Sequence, residues 1–138
     1  MLHKDLTGSI LDSCFKISNT LGIGFIESVY HQSLLVELAR KDLKVESKSK
    51  LKVEYEGAVL GSFEPDLIVE NRVIVEVKAV ESLARPHYAQ ALNYLKITNL
   101  DVALVENFGT SKLQYRKLNN RFNESSTCSV RDLLISEK

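Results

Sequence analysis

Residues 63–79 read FEPDLIVENRVIVEVKA, and the fold turns on this stretch. The runs LIV and VIV, on either side of a short polar turn, have the β-branched character of buried hairpin strands. Yet Asp66 stands beside the first run, and Glu76 and Lys78 fall inside the second. An ionised side chain in a core is costly unless it is paired or holds a metal. Positions two apart on a strand share a face, so Glu76 and Lys78 project together, with Ile74 below them. If Glu70, Asn71 and Arg72 form the turn, Val69 pairs with Val73 and Asp66 falls opposite Glu76. Cross-strand neighbours on one face have Cβ atoms roughly 4.5–5.5 Å apart. Carboxylates that close repel unless a cation lies between them. A register slip of one residue would carry Asp66 to the other face instead.

Two carboxylates and a lysine on a rigid strand pair form a chemical kit. Hard oxygen ligands with room for water suit Mg²⁺ or Mn²⁺. Such a metal lowers the pKa of a bound water and neutralises a phosphoryl oxygen. A lysine nearby can stabilise developing charge or orient the attacking water. The kit suits phosphodiester hydrolysis. On spacing alone, D-x(9)-E-x-K is equally a Glu–Lys ion pair at a strand end, with Asp66 a turn residue after Pro65.

Outward from the hairpin, the hydrophobic period sets the flanking elements. Leu6, Ile10, Cys14, Ile17 and Leu21 recur at helical spacing, and Gly22 is placed to stop that helix. A second helix is predicted from about Phe25 to Lys41, with Ile26, Tyr30, Leu34 and Leu38 on one face. Leu51, Val53 and Tyr55 then alternate with charged residues as a half-exposed strand, and AVLGSFEPDLIVE returns as the next one. Val73 to Val80 is the third strand. Arg85-Pro86 suits a helix start, and a helix over about 86–98 presents Tyr88, Ala91, Leu92 and Leu95 on one face and His87, Gln90 and Tyr94 on another. Val102 to Val105 reads as a strand covered on both sides, and Leu113 and Tyr115 begin a last one. The order is α-α-β-β-β-α-β-β, an α/β arrangement with helices flanking a mixed central sheet. Residues 1–120 form one domain, and 121–138 a polar C-terminal tail with a short helix near Val130–Ile135.

Composition bounds the partners. The 138 residues carry 18 basic and 18 acidic side chains, which gives no support to a highly basic nucleic-acid binder and does not exclude a local basic groove. Lys44, Lys48, Lys50 and Lys52 form one such stripe and Arg85 lies past the third strand, although lysines on edge strands also serve simply to block sheet–sheet pairing. Aromatic residues are few and not interleaved with the basic ones, so no stacking platform is expected. Sequence-specific recognition would need further parts, which a homodimer, a partner protein or a structured DNA substrate could supply. Cys14 and Cys128 lie far apart without metal-type spacing and read as free thiols of a reducing compartment. No run approaches a membrane span, and MLHKDLTGSI lacks a signal-peptide core, so a soluble cytoplasmic protein is expected.

Two motifs carry a family resemblance. GFIESVY, Gly24 to Tyr30, resembles the GxxExxY signature, and EPDLIVENRVIVEVKAVESLARPHYAQALNYLKIT is similar to the central block of the GxxExxY proteins. These belong to the PD-(D/E)XK nuclease superfamily, and the resemblance covers about residues 5–118. It implies a restriction-endonuclease-like core and a Mg²⁺- or Mn²⁺-dependent nuclease acting on DNA or RNA. It places Asp66 and Glu76 as metal ligands, with the Val77 carbonyl a third. Lys78 becomes the catalytic base or charge stabiliser, Glu27 an outer metal ligand and Gln90 a positioning residue. The superfamily also has members that have lost cleavage, so a silent nuclease-fold module binding nucleic acid or a protein is the alternative. From the residues alone, Glu27 near a helix start is favoured by the macrodipole and could extend the metal site or simply cap the helix. Tyr30, one turn on, would pack and steady Glu27. Gly24 would permit the tight turn into the helix. Gln90 and Tyr94 share a face at i,i+4 and could contact substrate or hold Lys78. His87 could join them; His3 and His31 carry no functional expectation.

Overall fold

The computed structural model describes residues 3–120 and the backbone of 134–136. Helix α1 (Lys4–Leu21) stops where expected, with Gly22 at positive φ and its N–H bonded to the Ser18 carbonyl. Helix α2 (Glu27–Arg40) starts at Glu27, one residue after Ile26. Tyr30, Leu34 and Leu38 are fully buried as predicted. Ile26 is not part of that face, because it is the extended residue before the helix and stands 71% exposed.

The predicted return strand AVLGSFEPDLIVE is divided. Pro65 lies between β3 (Ala58–Phe63) and β4 (Leu67–Val69), and the two halves enter different sheets. A proline offers no N–H to a ladder, so a strand crossing it is interrupted. A short strand β1 (Val45–Ser47) also precedes β2 (Leu51–Tyr55). The remaining elements are β5 (Val73–Lys78), α3 (Arg85–Thr98), β6 (Val102–Asn107), β7 (Gln114–Asn119) and β8 (Leu134–Ser136). The sequence of helices and strand blocks is otherwise the predicted one. At the C-terminus, Leu134–Ser136 pair antiparallel with β2 as a strand, not as the helix expected there. The rest of that tail, Cys128 included, lies outside the described residues.

Five strands form the main sheet in the order β1-β4-β5-β6-β7, with β5 and β6 parallel and every other pair antiparallel. The parallel pair requires a crossover, and α3 supplies it. Strand alternation sends Val73, Val75 and Val77 toward α1 and α2, where Ile10, Cys14, Ile17, Tyr30, Leu34 and Leu38 meet them. Ile74 points the other way, into a second core with Ala91, Tyr94 and Leu95 of α3. A buried Val or Leu side chain contributes about 1.5–3 kcal/mol. Burial on both faces makes β5 a rigid platform. A second sheet, β3-β2-β8, contains the β2–β3 hairpin.

Tyr30 closes the turn between the first two helices. Its hydroxyl donates to the Gly22 carbonyl at 2.6 Å and accepts from the Phe25 N–H at 3.3 Å, while its ring stacks on Phe108 at 4.8 Å. The tyrosine therefore holds the turn, and does not steady Glu27. Gly24 within it takes φ 111°, a conformation that other residues rarely adopt. Tyr30→Phe keeps the stack and loses both bonds. It should cost about 1 kcal/mol and lower the melting temperature by roughly 3–5 °C, read by thermal denaturation.

Candidate active site

The hairpin register is the one that brings the charges together. Val69 pairs with Val73, Ile68 with Ile74 and Leu67 with Val75. The turn is Glu70-Asn71-Arg72; Glu70 and Asn71 both take positive φ, and the Arg72 N–H returns to the Val69 carbonyl at 3.0 Å. One step beyond the pairing, Asp66 and Glu76 face each other and exchange bonds through the main chain. Asp66 N–H donates to Glu76 Oε2 at 2.8 Å, and Val77 N–H donates to Asp66 Oδ2 at 2.8 Å. These bonds fix both carboxyl groups. The Lys48 N–H also donates to the Asp66 carbonyl at 3.1 Å, so β1 clamps the same residue from its other side.

Glu76 is 2% exposed. Burial first, and the Asp66 charge second, push its carboxyl up to about 8, with Lys78 pulling the other way. A cation between the two groups would reverse this balance by favouring the ionised form. Lys78, at the end of β5, is half-buried, and its Nζ donates to Gln90 Oε1 on α3 at 3.3 Å. Among the described residues no Glu76–Lys78 ion pair forms, so the simple strand-end pair is not what this strand builds. Gln90 also bonds the Tyr94 side chain, whose hydroxyl is raised to about 12 by burial and then by Glu76 and Asp66. Asp66, Glu76, Lys78 and Gln90 are thus brought together, and Tyr94 joins them from a core position.

Glu27 stands apart. It is exposed in the first turn of α2, yet close enough for its charge to raise Glu76. His87 does not join the site: its Nδ1 accepts the Ala84 N–H at 2.9 Å and caps α3. His31 is buried, and its Nε2 lies 2.9 Å from Ser47 Oγ of β1. Burial lowers its pKa against the opposing pull of Asp66. The lysine stripe is split, with Lys44 and Lys48 flanking β1 of the main sheet and Lys52 inside β2 of the other.

Two residues without any expectation hold the end of β5. Asn107 Oδ1 accepts the Val80 and Gly109 N–H groups, and its Nδ2 donates to the Val80 carbonyl. Gly109 lies so close to Val80 that a Cβ would stand 2.3 Å from the Val80 oxygen. The NFG segment is visible in the sequence, but its partner across the parallel pair is not. Glu106, beside Asn107, is fully buried on the opposite face of the sheet, where it accepts a bond from Cys14 Sγ. A carboxylate ending an apolar run is the signal that singled out Glu76, and it applied here too.

Among the described residues, no three His, Cys, Asp or Glu side chains are grouped to hold a metal ion. The donors present are fewer and harder. Asp66 and Glu76 each commit one oxygen to a backbone N–H and keep another, with the main chain of Val77 between them. Mg²⁺ characteristically takes one or two protein carboxylates and keeps several waters, so this set fits it and would not fit a thiolate-seeking metal. No helix among the described residues is long and apolar enough to cross a membrane.

No curated protein and no solved structure shows significant similarity to the chain. A family model does, over residues 4–118, which include both helices before the hairpin, the hairpin itself and α3. With that match spanning most of the chain and the paired acids and lysine at its centre, the protein belongs to the PD-(D/E)XK nuclease superfamily.

Proposed function

We propose that the protein is a divalent-metal-dependent nuclease that hydrolyses phosphodiester bonds in nucleic acid, and that it belongs to the GxxExxY branch of its superfamily. One observation carries this reading: Asp66 and Glu76 are locked face to face by reciprocal backbone bonds, with Lys78 two residues on and tethered to Gln90. Asp66, Glu76 and the Val77 carbonyl would hold Mg²⁺ or Mn²⁺. When bound, the metal supplies an acidified water and neutralises phosphoryl charge. Lys78 projects on the same side of β5 as Glu76, where it can take a proton from the attacking water or stabilise developing charge. Gln90 holds that amine in place, and Glu27 adds an outer carboxylate at the mouth. Gly24, Glu27 and Tyr30 support the branch assignment, since the first and last fix the turn that delivers the middle one.

Thermal melts with and without Mg²⁺ or Mn²⁺, followed by assays on single-stranded, duplex and branched substrates, test the reading. Wild type should be stabilised by metal and should cut. Asp66→Asn should keep the bond from Val77, relieve repulsion with Glu76, and leave the metal-free fold as stable or more so. Metal-induced stabilisation and cleavage should both vanish in that variant. Metal binding unchanged in Asp66→Asn and in Glu76→Gln would remove the site. Binding by the wild type without any cleavage would leave the silent module.

A further inference from the structure

The β2–β3 hairpin is unexplained by the chemistry so far. Its register pairs Leu51 with Phe63 and Val53 with Gly61, then shifts at a bulge before Tyr55 pairs with Ala58, and alternation along β2 places Leu51, Val53 and Tyr55 on the face that Phe63 shares. Phe63 stacks on Tyr94 at 5.1 Å, and Tyr94 feels the charges of both Glu76 and Asp66. From Phe63 the chain runs through Glu64 and Pro65 straight to Asp66. That face therefore opens onto the candidate active site.

Along it, burial falls away. Leu51 is buried, Val53 half-buried, and Tyr55 is 57% exposed. By strand rise, Tyr55 stands about 13 Å beyond Leu51. Across from Val53, a Cβ on Gly61 would meet nothing within 4 Å among the described residues, which leaves the wall without a side chain there. Lys48 and Lys50, both exposed, lie at the hairpin's base, while Glu54 pairs with Val59 on the outer face and Glu56 occupies the turn. Lys48 and Lys50 thus border the base together with exposed Glu64, whose charge also reaches Tyr94, and the inner wall toward the tip is uncharged and ends in an aromatic ring. Two lysines below an apolar shelf with a ring match a polynucleotide whose phosphates pass the lysines and whose bases lie on the shelf. Bases in a duplex are already stacked on one another and offer no free face to such a ring.

We propose that this inner face is the nucleobase-binding wall of the active site, with Tyr55 the stacking residue, and that the substrate is nucleic acid with unpaired bases. This rests on the nuclease reading and narrows its substrate. The ring stands at the far end of β2 from Lys48 and Lys50, so the wall runs from the basic base of the hairpin to its aromatic tip.

The test is fluorescence anisotropy in Ca²⁺ at fixed salt, with a labelled single-stranded oligonucleotide and a duplex of matched length. Tyr55→Ala should weaken single-strand binding about tenfold, with duplex binding changed less than about twofold. Tyr55→Phe should keep wild-type affinity. Gly61→Val, a branched residue on a strand that accepts it, should weaken single-strand binding by obstructing the shelf. Circular dichroism and melts on each variant should match wild type, because Tyr55 is exposed and Gly61 has open space. Single-strand affinity unchanged in both Tyr55→Ala and Gly61→Val overturns the wall, as does a parallel loss for duplex, or a change of sedimentation mass in Tyr55→Ala. Cleavage in Mn²⁺ separates the two levels. A wild type that cuts and a Tyr55→Ala that binds and cuts equally well refute only the wall, whereas a wild type that neither binds nor cuts refutes the nuclease reading as well.

Discussion

Lys78→Ala should lower the cleavage rate by about 10²–10⁴-fold while nucleic-acid affinity falls no more than about threefold. A group used mainly in the transition state affects turnover more than ground-state binding. Lys78 is placed for that role, two residues beyond Glu76 on the same face, half-buried, with its amine held by Gln90. Lys78→Arg should rescue little, because a planar, permanently charged fork cannot replace a compact amine able to exchange a proton. A second readout separates charge from proton transfer. The Lys78 charge pulls the Glu76 carboxyl down, so its removal should let Glu76 keep its proton to higher pH. The pH at which metal begins to stabilise the fold should then rise in Lys78→Ala. Wild type and Lys78→Ala cutting at equal rates would exclude Lys78 from the chemistry, and an unmoved pH onset would separate it from Glu76.

The hairpin was legible in the sequence because its information is local. LIV and VIV must pair, a three-residue polar turn sets one register, and that register alone puts Asp66 against Glu76. The helices were legible for the same reason, since a period of apolar residues fixes which face is buried, and Tyr30, Leu34 and Leu38 obeyed it. What was not legible depended on neighbours distant in the chain. The hydroxyl of Tyr30 chose the Gly22 carbonyl over Glu27 because the turn between the helices folds back beneath it. His31 is buried because β1 brings Ser47 to it, and β1 was too short to be read as a strand. Asn107 earns its place only after the parallel pairing of β5 and β6 sets it beside the chain leaving β5 at Val80, and no periodicity reports a parallel partner. The division of the return strand was a missed local signal, since Pro65 stood in it from the start.

Glu106→Gln should stabilise the metal-free protein at alkaline pH and change it little in acid. Glu106 is fully buried, one of its oxygens accepts the Cys14 thiol at 3.2 Å, and the other, Oε1, has no partner among the described residues. Burial raises its carboxyl from the ordinary 4.5 to about 8, so it carries a proton at neutral pH. A group whose folded pKa lies above its unfolded value contributes stability that is fully present below about pH 4.5 and is lost as pH rises through about 8. Glu76 slopes the same way when no metal is bound. Glutamine mimics the protonated acid in shape, still accepts from Cys14, and cannot ionise. The variant should therefore match wild type near pH 4.5 and exceed it by a few kcal/mol near pH 9, measured by chemical denaturation across that range. A weaker slope should survive in Glu106→Gln and disappear when Glu76→Gln is added. Metal should oppose the remaining slope in the single variant, because it binds the ionised form of Glu76 and so gains affinity as pH rises. Parallel stability curves for wild type and Glu106→Gln would show that Glu106 does not titrate in this window. A variant less stable at every pH would show that its two oxygens matter for packing, not for the proton.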